Sequence, residues 1–209
     1  GLGTVSVNGL GHQLFVQGGE ATDRIVLNGQ SGNDLLEARE FDPFLFTFTP
    51  IAMQLTLDGG DGNDTLAGGS SNDMLLGGRG TDVANGSRGD DLVLLGSGND
   101  RFTWNAGDGS DIVDGQTGID RIDFNGAGVG ETIDISANGG RVSLSRDVGA
   151  VTMDLNEVER IALTAQGGAD SILVGDLTGT GTTLLDIDLS NMPGGGAGDG
   201  ASDHVGLSG

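Results

Sequence analysis

The sequence predicts an all-β solenoid in which short strands alternate with glycine-rich turns. Five nine-residue units follow one another over residues 59–103, and each has an aspartate at its sixth place and an apolar residue two places later. Successive side chains of a strand point to opposite faces, so one apolar position per unit would face a core. A fixed short period with glycine, aspartate and one apolar position is the pattern of stacked coils.

Composition agrees with a thin solenoid core. The 209-residue chain has 42 Gly, only 4% aromatic residues and no Tyr. Glycine at this level would indicate disorder if it were aperiodic, but here it recurs with the units and would supply turns. The core would therefore be narrow and built from Leu, Ile and Val.

The units resemble the G-G-x-G-x-D-x-U-x nonapeptide of the RTX, or hemolysin-type, calcium-binding proteins. The best match is GGDGNDTLA at residues 59–67, followed by GGSSNDMLL, GGRGTDVAN, GSRGDDLVL and LGSGNDRFT. Ser71, Ser87 and Leu95 each replace a glycine of the pattern. The resemblance is specific over residues 59–125 and looser in the flanks.

This resemblance implies a parallel β-roll with calcium ions between stacked Gly/Asp loops. Two nonapeptides make one turn, so Asp64 would stack on Asp82, Asp82 on Asp100, and Asp73 on Asp91. Calcium takes six to eight oxygens from carboxylates and backbone carbonyls. Aspartates stacked at a strand spacing of roughly 4.8 Å would repel one another without a cation. The alternative is a row of metal-free Gly/Asn/Asp turns, which is how a single such loop would be interpreted.

Several Ca²⁺ ions are the predicted cofactor, held by loop aspartates and by glycines that turn backbone carbonyls inward. The predicted ligand residues are Asp34, Asp64, Asp73, Asp82, Asp91, Asp100, Asp111 and Asp120, with Gly60, Gly62, Gly69, Gly78, Gly80, Gly89, Gly98 and Gly118.

Charge and cysteine content exclude several classes of function. The formal net charge is −22, with 31 acidic and 9 basic residues. Nucleic-acid binding is not expected, because phosphates need Lys and Arg, and an anionic membrane surface is disfavoured. The absence of Cys excludes a disulfide scaffold, a thiolate metal site and a Cys nucleophile. No apolar run predicts a transmembrane segment, and neither terminus reads as an export signal, so a fragment of a longer chain is one interpretation.

The chain is predicted to form one continuous solenoid in three parts. Residues 1–58 would form N-terminal coils, 59–125 the calcium-binding roll, and 126–209 C-terminal coils. A Phe-rich insertion at residues 38–52 breaks the period, with Phe44, Phe46 and Phe48 on one face of a predicted strand. This segment is expected to pack over the solenoid or, alternatively, to contact a partner.

Other features outside the tight array give specific expectations. Residues 104–109 add two residues to the period, and Trp104 is expected to pack at that corner. Alternation predicts further strands at Thr132–Ser136, Arg141–Ser145, Val151–Leu155, Arg160–Leu163, Ile172–Val174 and Leu184–Leu189. Leu155–Arg160 is the one candidate helix. Met74, Leu76, Leu92 and Leu94 are predicted to form an outward apolar patch, with the insertion as its lid.

No catalytic motif is found, so the chain is not expected to be an enzyme. His12 and His204, the only histidines, lie in no nucleophile or metal motif. The resemblance implies a calcium-binding structural or interaction module of a secreted or cell-surface bacterial protein that folds on calcium outside the cell after type I secretion. The alternative is an accessory repeat domain of a secreted enzyme or toxin. Neighbouring repeats, self-association and an extracellular polysaccharide or surface stay open as partners.

Overall fold

A computed structural model describes residues 2–8, 12–17, 24–42, 47–50, 54–190 and 200–209, and every regular element within these ranges is a strand. The strands are β1 (Leu2–Asn8), β2 (His12–Gln17), β3 (Arg24–Asn28), β4 (Leu35–Asp42), β5 (Thr47–Pro50), β6 (Gln54–Asp61), β7 (Thr65–Ala67), β8 (Met74–Arg79), β9 (Val83–Asn85), β10 (Leu92–Gly98), β11 (Arg101–Asn105), β12 (Ile112–Gly118), β13 (Arg121–Asn125), β14 (Thr132–Asn138), β15 (Arg141–Arg146), β16 (Val151–Asn156), β17 (Arg160–Thr164), β18 (Ser171–Val174), β19 (Leu184–Asp188) and β20 (His204–Leu207). The candidate helix at Leu155–Arg160 is therefore wrong. In the described ranges, no helix has the length and apolar character needed to span a membrane.

The strands form two ten-stranded sheets. The first has the order β19-β17-β13-β11-β9-β7-β4-β1-β2 with β5 paired to β4, and the second has the order β20-β18-β14-β15-β16-β12-β10-β8-β6-β3. From β6 to β13 the chain alternates between the sheets, and neighbours within each sheet are parallel. This arrangement confirms the predicted parallel β-roll.

The register of the roll is the predicted one. Thr65 pairs with Val83 in the first sheet and Met74 pairs with Leu92 in the second, so loop aspartates stack one coil apart. Beyond Phe102 the added residues lengthen the coil, and Val93 accordingly pairs with Val113. The period lengthens without loss of parallel pairing because the extra residues lie in a loop.

Antiparallel pairing interrupts the parallel arrangement in two regions. In the first sheet β1 is antiparallel to both β2 and β4, and β4 is antiparallel to β5. In the second sheet β14, β15 and β16 form an antiparallel meander. Parallel coils were expected across residues 126–209, but β14 and β15 are joined by the two-residue turn Gly139–Gly140, in which Gly139 has φ +67°. A connection this short can join only antiparallel strands. β16 then returns beside β12, where Leu155 pairs with Val113.

The core lies between the sheets and contains the apolar residues predicted to point inward. Leu66, Leu75, Ala84, Val93 and Phe102 are each at most 1% exposed.

Trp104 is fully buried and stacks on Phe124 with ring centroids 4.2 Å apart. Its indole N–H donates to the carbonyl of Gly109 at 2.8 Å, which closes the inserted corner. The expected corner role of Trp104 is confirmed.

The apolar patch on the second sheet is half-buried at Met74, Leu76, Leu92 and Leu94. β5 pairs with β4 in the first sheet, not in the sheet that carries the patch. Phe44 lies outside the described residues, as does Phe46, so the lid stays a prediction. The three-part division of the chain also stays a prediction.

Candidate metal centre

The predicted aspartates lie in two rows of loops at opposite edges of the roll. Loops leading from the second sheet to the first contain Asp34, Asp64, Asp82, Asp100 and Asp120, and loops leading back contain Asp73, Asp91 and Asp111. All eight side chains are buried, with exposures from 0% to 6%. Each follows a glycine-rich turn and precedes a strand whose second residue enters the core, so the strand fixes where the carboxylate lies.

One carboxylate oxygen of each stacked aspartate binds the neighbouring coil. The backbone N–H of Asp64 donates to Oδ1 of Asp82 at 2.7 Å, and the N–H of Asp82 donates to Oδ1 of Asp100 at 2.8 Å. In the other row the N–H of Asp73 donates to Oδ1 of Asp91 at 2.7 Å. These bonds form a ladder of carboxylates along each edge.

The second carboxylate oxygen has no partner in seven of these aspartates. Within the described residues, buried Oδ2 atoms without a hydrogen bond belong to Asp34, Asp64, Asp82, Asp91, Asp100, Asp111 and Asp120. Asp73 differs, because the N–H of Gly69 in its own loop donates to its Oδ2 at 2.6 Å. Burying a polar atom without a hydrogen-bond partner costs folding free energy. These seven oxygens are therefore positioned to bind a ligand from outside the chain.

Four of the free oxygens, those of Asp34, Asp64, Asp82 and Asp120, lie beside a glycine at which a backbone carbonyl oxygen of another coil also converges. A Cβ placed on Gly59 would lie 2.5 Å from Oδ2 of Asp64 and 2.6 Å from the carbonyl oxygen of Gly77. At Gly77 it would lie 2.8 Å from Oδ2 of Asp82 and 2.2 Å from the carbonyl oxygen of Leu95. The first glycine of the unit thus keeps open a space in which two oxygens converge. Sequence reasoning missed this glycine, although its recurrence five places before the aspartate was a usable signal.

The glycines predicted at the second and fourth places of the units serve the close approach of coils. Positive φ angles between 96° and 149° occur at Gly60, Gly62, Gly78, Gly80, Gly89, Gly98 and Gly118. A Cβ on Gly80 would meet the carbonyl oxygen of Gly62 at 1.6 Å. Gly69 has a different role, since it contributes the N–H that satisfies Asp73.

Burial desolvates the charged form of seven loop aspartates and raises the pKa of Asp64, Asp73, Asp82, Asp91, Asp100, Asp111 and Asp120. The pKa of Asp82 and Asp120 rises to about 6, that of Asp111 to about 7 and that of Asp91 to about 8. Donation from the neighbouring backbone N–H opposes the rise, and repulsion from nearby carboxylates adds to it. A cation bound beside these carboxylates would favour their charged form and lower the pKa.

The donor set suits a hard cation. Within the described ranges, no three His, Cys, Asp or Glu side chains converge as a metal cluster. The converging atoms are carboxylate and backbone carbonyl oxygens, which Ca²⁺ prefers, whereas Zn²⁺ and Cu²⁺ favour imidazole or thiolate ligands. His204 lies exposed in β20 and belongs to no such cluster among the described residues.

Both rows end on residues that sequence reasoning did not single out. The N–H of Asp120 donates to Oε2 of Glu159 at 2.7 Å, and the carbonyl of Glu157 lies over Gly115. The N–H of Asp111 faces Sδ of Met153 at 3.5 Å. Glu159 and Met153 are 39 and 42 residues from the aspartates they cap, so no repeat period pointed to them.

Comparison with known families agrees with this geometry. Residues 56–84 and 68–102 match the family model of the RTX calcium-binding nonapeptide repeat, with four copies. The comparison with curated proteins gave no match.

Proposed function

Residues 56–102 are RTX calcium-binding nonapeptide repeats, and from this premise we propose that the chain is a structural or interaction module of a secreted or cell-surface bacterial protein that folds on calcium binding. The RTX repeat is a structural calcium-binding unit. That this chain has no catalytic activity of its own stays a prediction.

One observation carries the proposal: a buried, unpartnered Oδ2 faces a carbonyl oxygen of the neighbouring coil. The residues with a free Oδ2 that would hold calcium are Asp34, Asp64, Asp82, Asp91, Asp100, Asp111 and Asp120. The converging carbonyl oxygen lies beside Asp34, Asp64, Asp82 and Asp120. Calcium would supply the positive charge that these carboxylates lack and an oxygen-coordinated link between coils. Asp73 is the weakest of the predicted ligands, because both of its oxygens already accept backbone hydrogen bonds.

Calcium dependence of folding follows from how the sites are assembled. Each combines atoms of two coils, so none exists in the unfolded chain, and binding free energy becomes folding free energy. At a net charge of −22 the metal-free chain repels itself. This favours an expanded chain in a calcium-poor cytosol, suited to type I secretion, and a folded roll outside the cell.

Circular dichroism in chelator and in millimolar calcium tests the proposal. We expect disordered or partly ordered spectra in chelator and β structure with a higher melting temperature in calcium. Magnesium at the same concentration is the control, since its near-octahedral geometry and retained waters suit these carbonyl-rich sites poorly. Unchanged spectra and melting temperature would show that calcium does not drive folding.

The alternative, an accessory repeat domain of a secreted enzyme or toxin, rests on the same calcium chemistry. It differs only in what is covalently attached to the chain, so sequencing the full gene separates the two.

A further inference from the structure

A loop outside the matched repeats reproduces the geometry of the aspartate loops with a glutamate. The segment GAGVGE at residues 126–131 places Glu131 where the units have aspartate, and Ile133 two residues later is fully buried. A Cβ on Gly126 would lie 2.5 Å from Oε2 of Glu131 and 2.9 Å from the carbonyl oxygen of Ala165. The Oε2 atom is buried without a hydrogen bond, like Oδ2 in the aspartate loops.

The difference is that this loop contains its own cation. Nε of Arg146 donates to Oε1 of Glu131 at 2.9 Å, and Nη2 of Arg146 also contacts Oε1. The N–H of Ala127 donates to the same oxygen at 3.1 Å. The two side chains are 3% and 0% exposed, and the guanidinium lies 5.5 Å from the centre of the Trp104 ring.

No comparable cation serves the aspartate loops. In the part of the chain that the structure describes, no ion pair joins a basic side chain to any of the seven aspartates with a free Oδ2. All nine basic residues of the chain are arginines. Arg101 and Arg121 pair with Asp123, a buried carboxylate within β13, and Arg141 pairs with the partly exposed Asp154. Glu131 is thus the loop carboxylate that the chain neutralises by itself.

The antiparallel meander explains how the arginine arrives there. Arg146 stands directly opposite Ile133 in the β14–β15 pair, so its side chain starts beside the Glu131 loop. In the parallel roll, the strand position beside each aspartate loop belongs to the preceding coil. That coil donates only a backbone N–H to the carboxylate. The hairpin turn replaces that coil with a strand whose last residue is a cation.

We propose that Arg146 replaces calcium as the counter-cation of the Glu131 loop, so that the coils from β14 to β18 fold without calcium and provide a preformed end on which the calcium-dependent array assembles. This inference rests on the proposed calcium-dependent folding of the repeats. A buried ion pair is not strongly stabilising in itself, but removing one partner leaves an uncompensated buried charge. Arg146 therefore makes this end of the roll independent of metal, and its loss would make it dependent.

Hydrogen exchange of the whole chain in chelator and in calcium is the first test. We expect residues 132–174 to stay protected in chelator, while residues 59–118 become protected only in calcium. If residues 132–174 also need calcium, the inference is overturned and the proposed function stands. If residues 59–118 are equally protected in both conditions, the proposed function fails.

Arg146→Met is the second test, with Arg141→Met as its matched control. Arg141 lies in the same hairpin and pairs with Asp154, but both of those side chains are partly exposed. We expect Arg146→Met to lose roughly a hundredfold in protection of residues 132–174 in chelator and to recover it in calcium. Arg141→Met should behave as the unchanged protein does.

The double variant Glu131→Gln/Arg146→Met removes both charges and should again be protected in chelator. The inference is overturned if residues 132–174 exchange at the same rate in Arg146→Met and Arg141→Met. It is also overturned if these residues stay unprotected in calcium in the Arg146→Met variant. It is also overturned if the double variant is as calcium-dependent as Arg146→Met.

Discussion

Replacing Asp82 with asparagine should have opposite effects on the roll with and without calcium. Oδ1 of Asp82 accepts the N–H of Asp64 at 2.7 Å, and an amide oxygen can keep this bond. Oδ2 has no partner and converges with the carbonyl oxygen of Leu95 across Gly77. An amide NH₂ in its place would donate toward that carbonyl, whereas a carboxylate can only be repelled by it.

The magnitude follows from the pKa of Asp82, which burial raises from 3.8 to about 6. A raised pKa means that the folded chain holds this proton more tightly, so at neutral pH the ionised carboxylate destabilises the metal-free fold. Two pKa units correspond to about 3 kcal/mol. Because the loop borders solvent, which screens the charge, we expect Asp82→Asn to stabilise the metal-free fold by about 1–2 kcal/mol.

In calcium the same substitution should destabilise the protein, because it removes the charged Oδ2 that converges with the carbonyl oxygen of Leu95. Asp82 is also hydrogen-bonded to the loops of both Asp64 and Asp100, so the loss should affect more than one calcium site. Urea unfolding in chelator and in millimolar calcium, with calcium titration calorimetry, measures both effects. Asp61→Asn is the control, since Asp61 ends β6 immediately before the loop of Asp64 and its side chain is 63% exposed. Asp23→Asn, in a loop that lies outside the described residues and lacks the central glycine, should also have little effect. A change of the same sign in both conditions would refute the reasoning.

Three further expectations concern pH, ligand choice and the glycines. Because burial raises the pKa of Asp111 to about 7 and that of Asp91 to about 8, the metal-free fold loses stability as pH rises from about 4 to about 8. Acidification in chelator should therefore increase the β structure seen by circular dichroism, and a decrease in β structure would contradict this. Asp91→Asn should weaken calcium binding in calorimetry more than Asp73→Asn, since only Asp91 has a free oxygen; equal losses would argue against the role of that oxygen. Gly78→Ala should prevent close stacking of the coils, because the added Cβ would lie 2.1 Å from a backbone oxygen. Gly107 has nearly the same φ but nothing within 4 Å, so Gly107→Ala should lower the free energy of unfolding in urea by only about 1–2 kcal/mol. Similar losses of stability in the two variants would mean that φ alone matters.

The sequence by itself determined what lies within one coil. The aspartate of each unit, the buried residue two places later and the outward residues on either side follow from the two-residue period of a strand. The stacking of Asp64 on Asp82 came from the resemblance to the RTX nonapeptide, which implies two units in each turn. The corner role of Trp104 was also readable, since the added residues had to leave the ladder there.

The tertiary structure decided how the coils meet. Whether a carboxylate oxygen stays without a partner depends on how each loop folds. Oδ2 of Asp73 accepts a hydrogen bond from the N–H of Gly69 in its own turn, whereas Oδ2 of Asp91 accepts none. The antiparallel meander was signalled locally by Gly139–Gly140, but its position between β18 and β12 was not. The buried pair of Glu131 and Arg146 joins the loop before β14 to the last residue of β15, against a tryptophan from another coil. Nothing local encodes such a contact, because its energy arises only when segments far apart in the chain exclude water together.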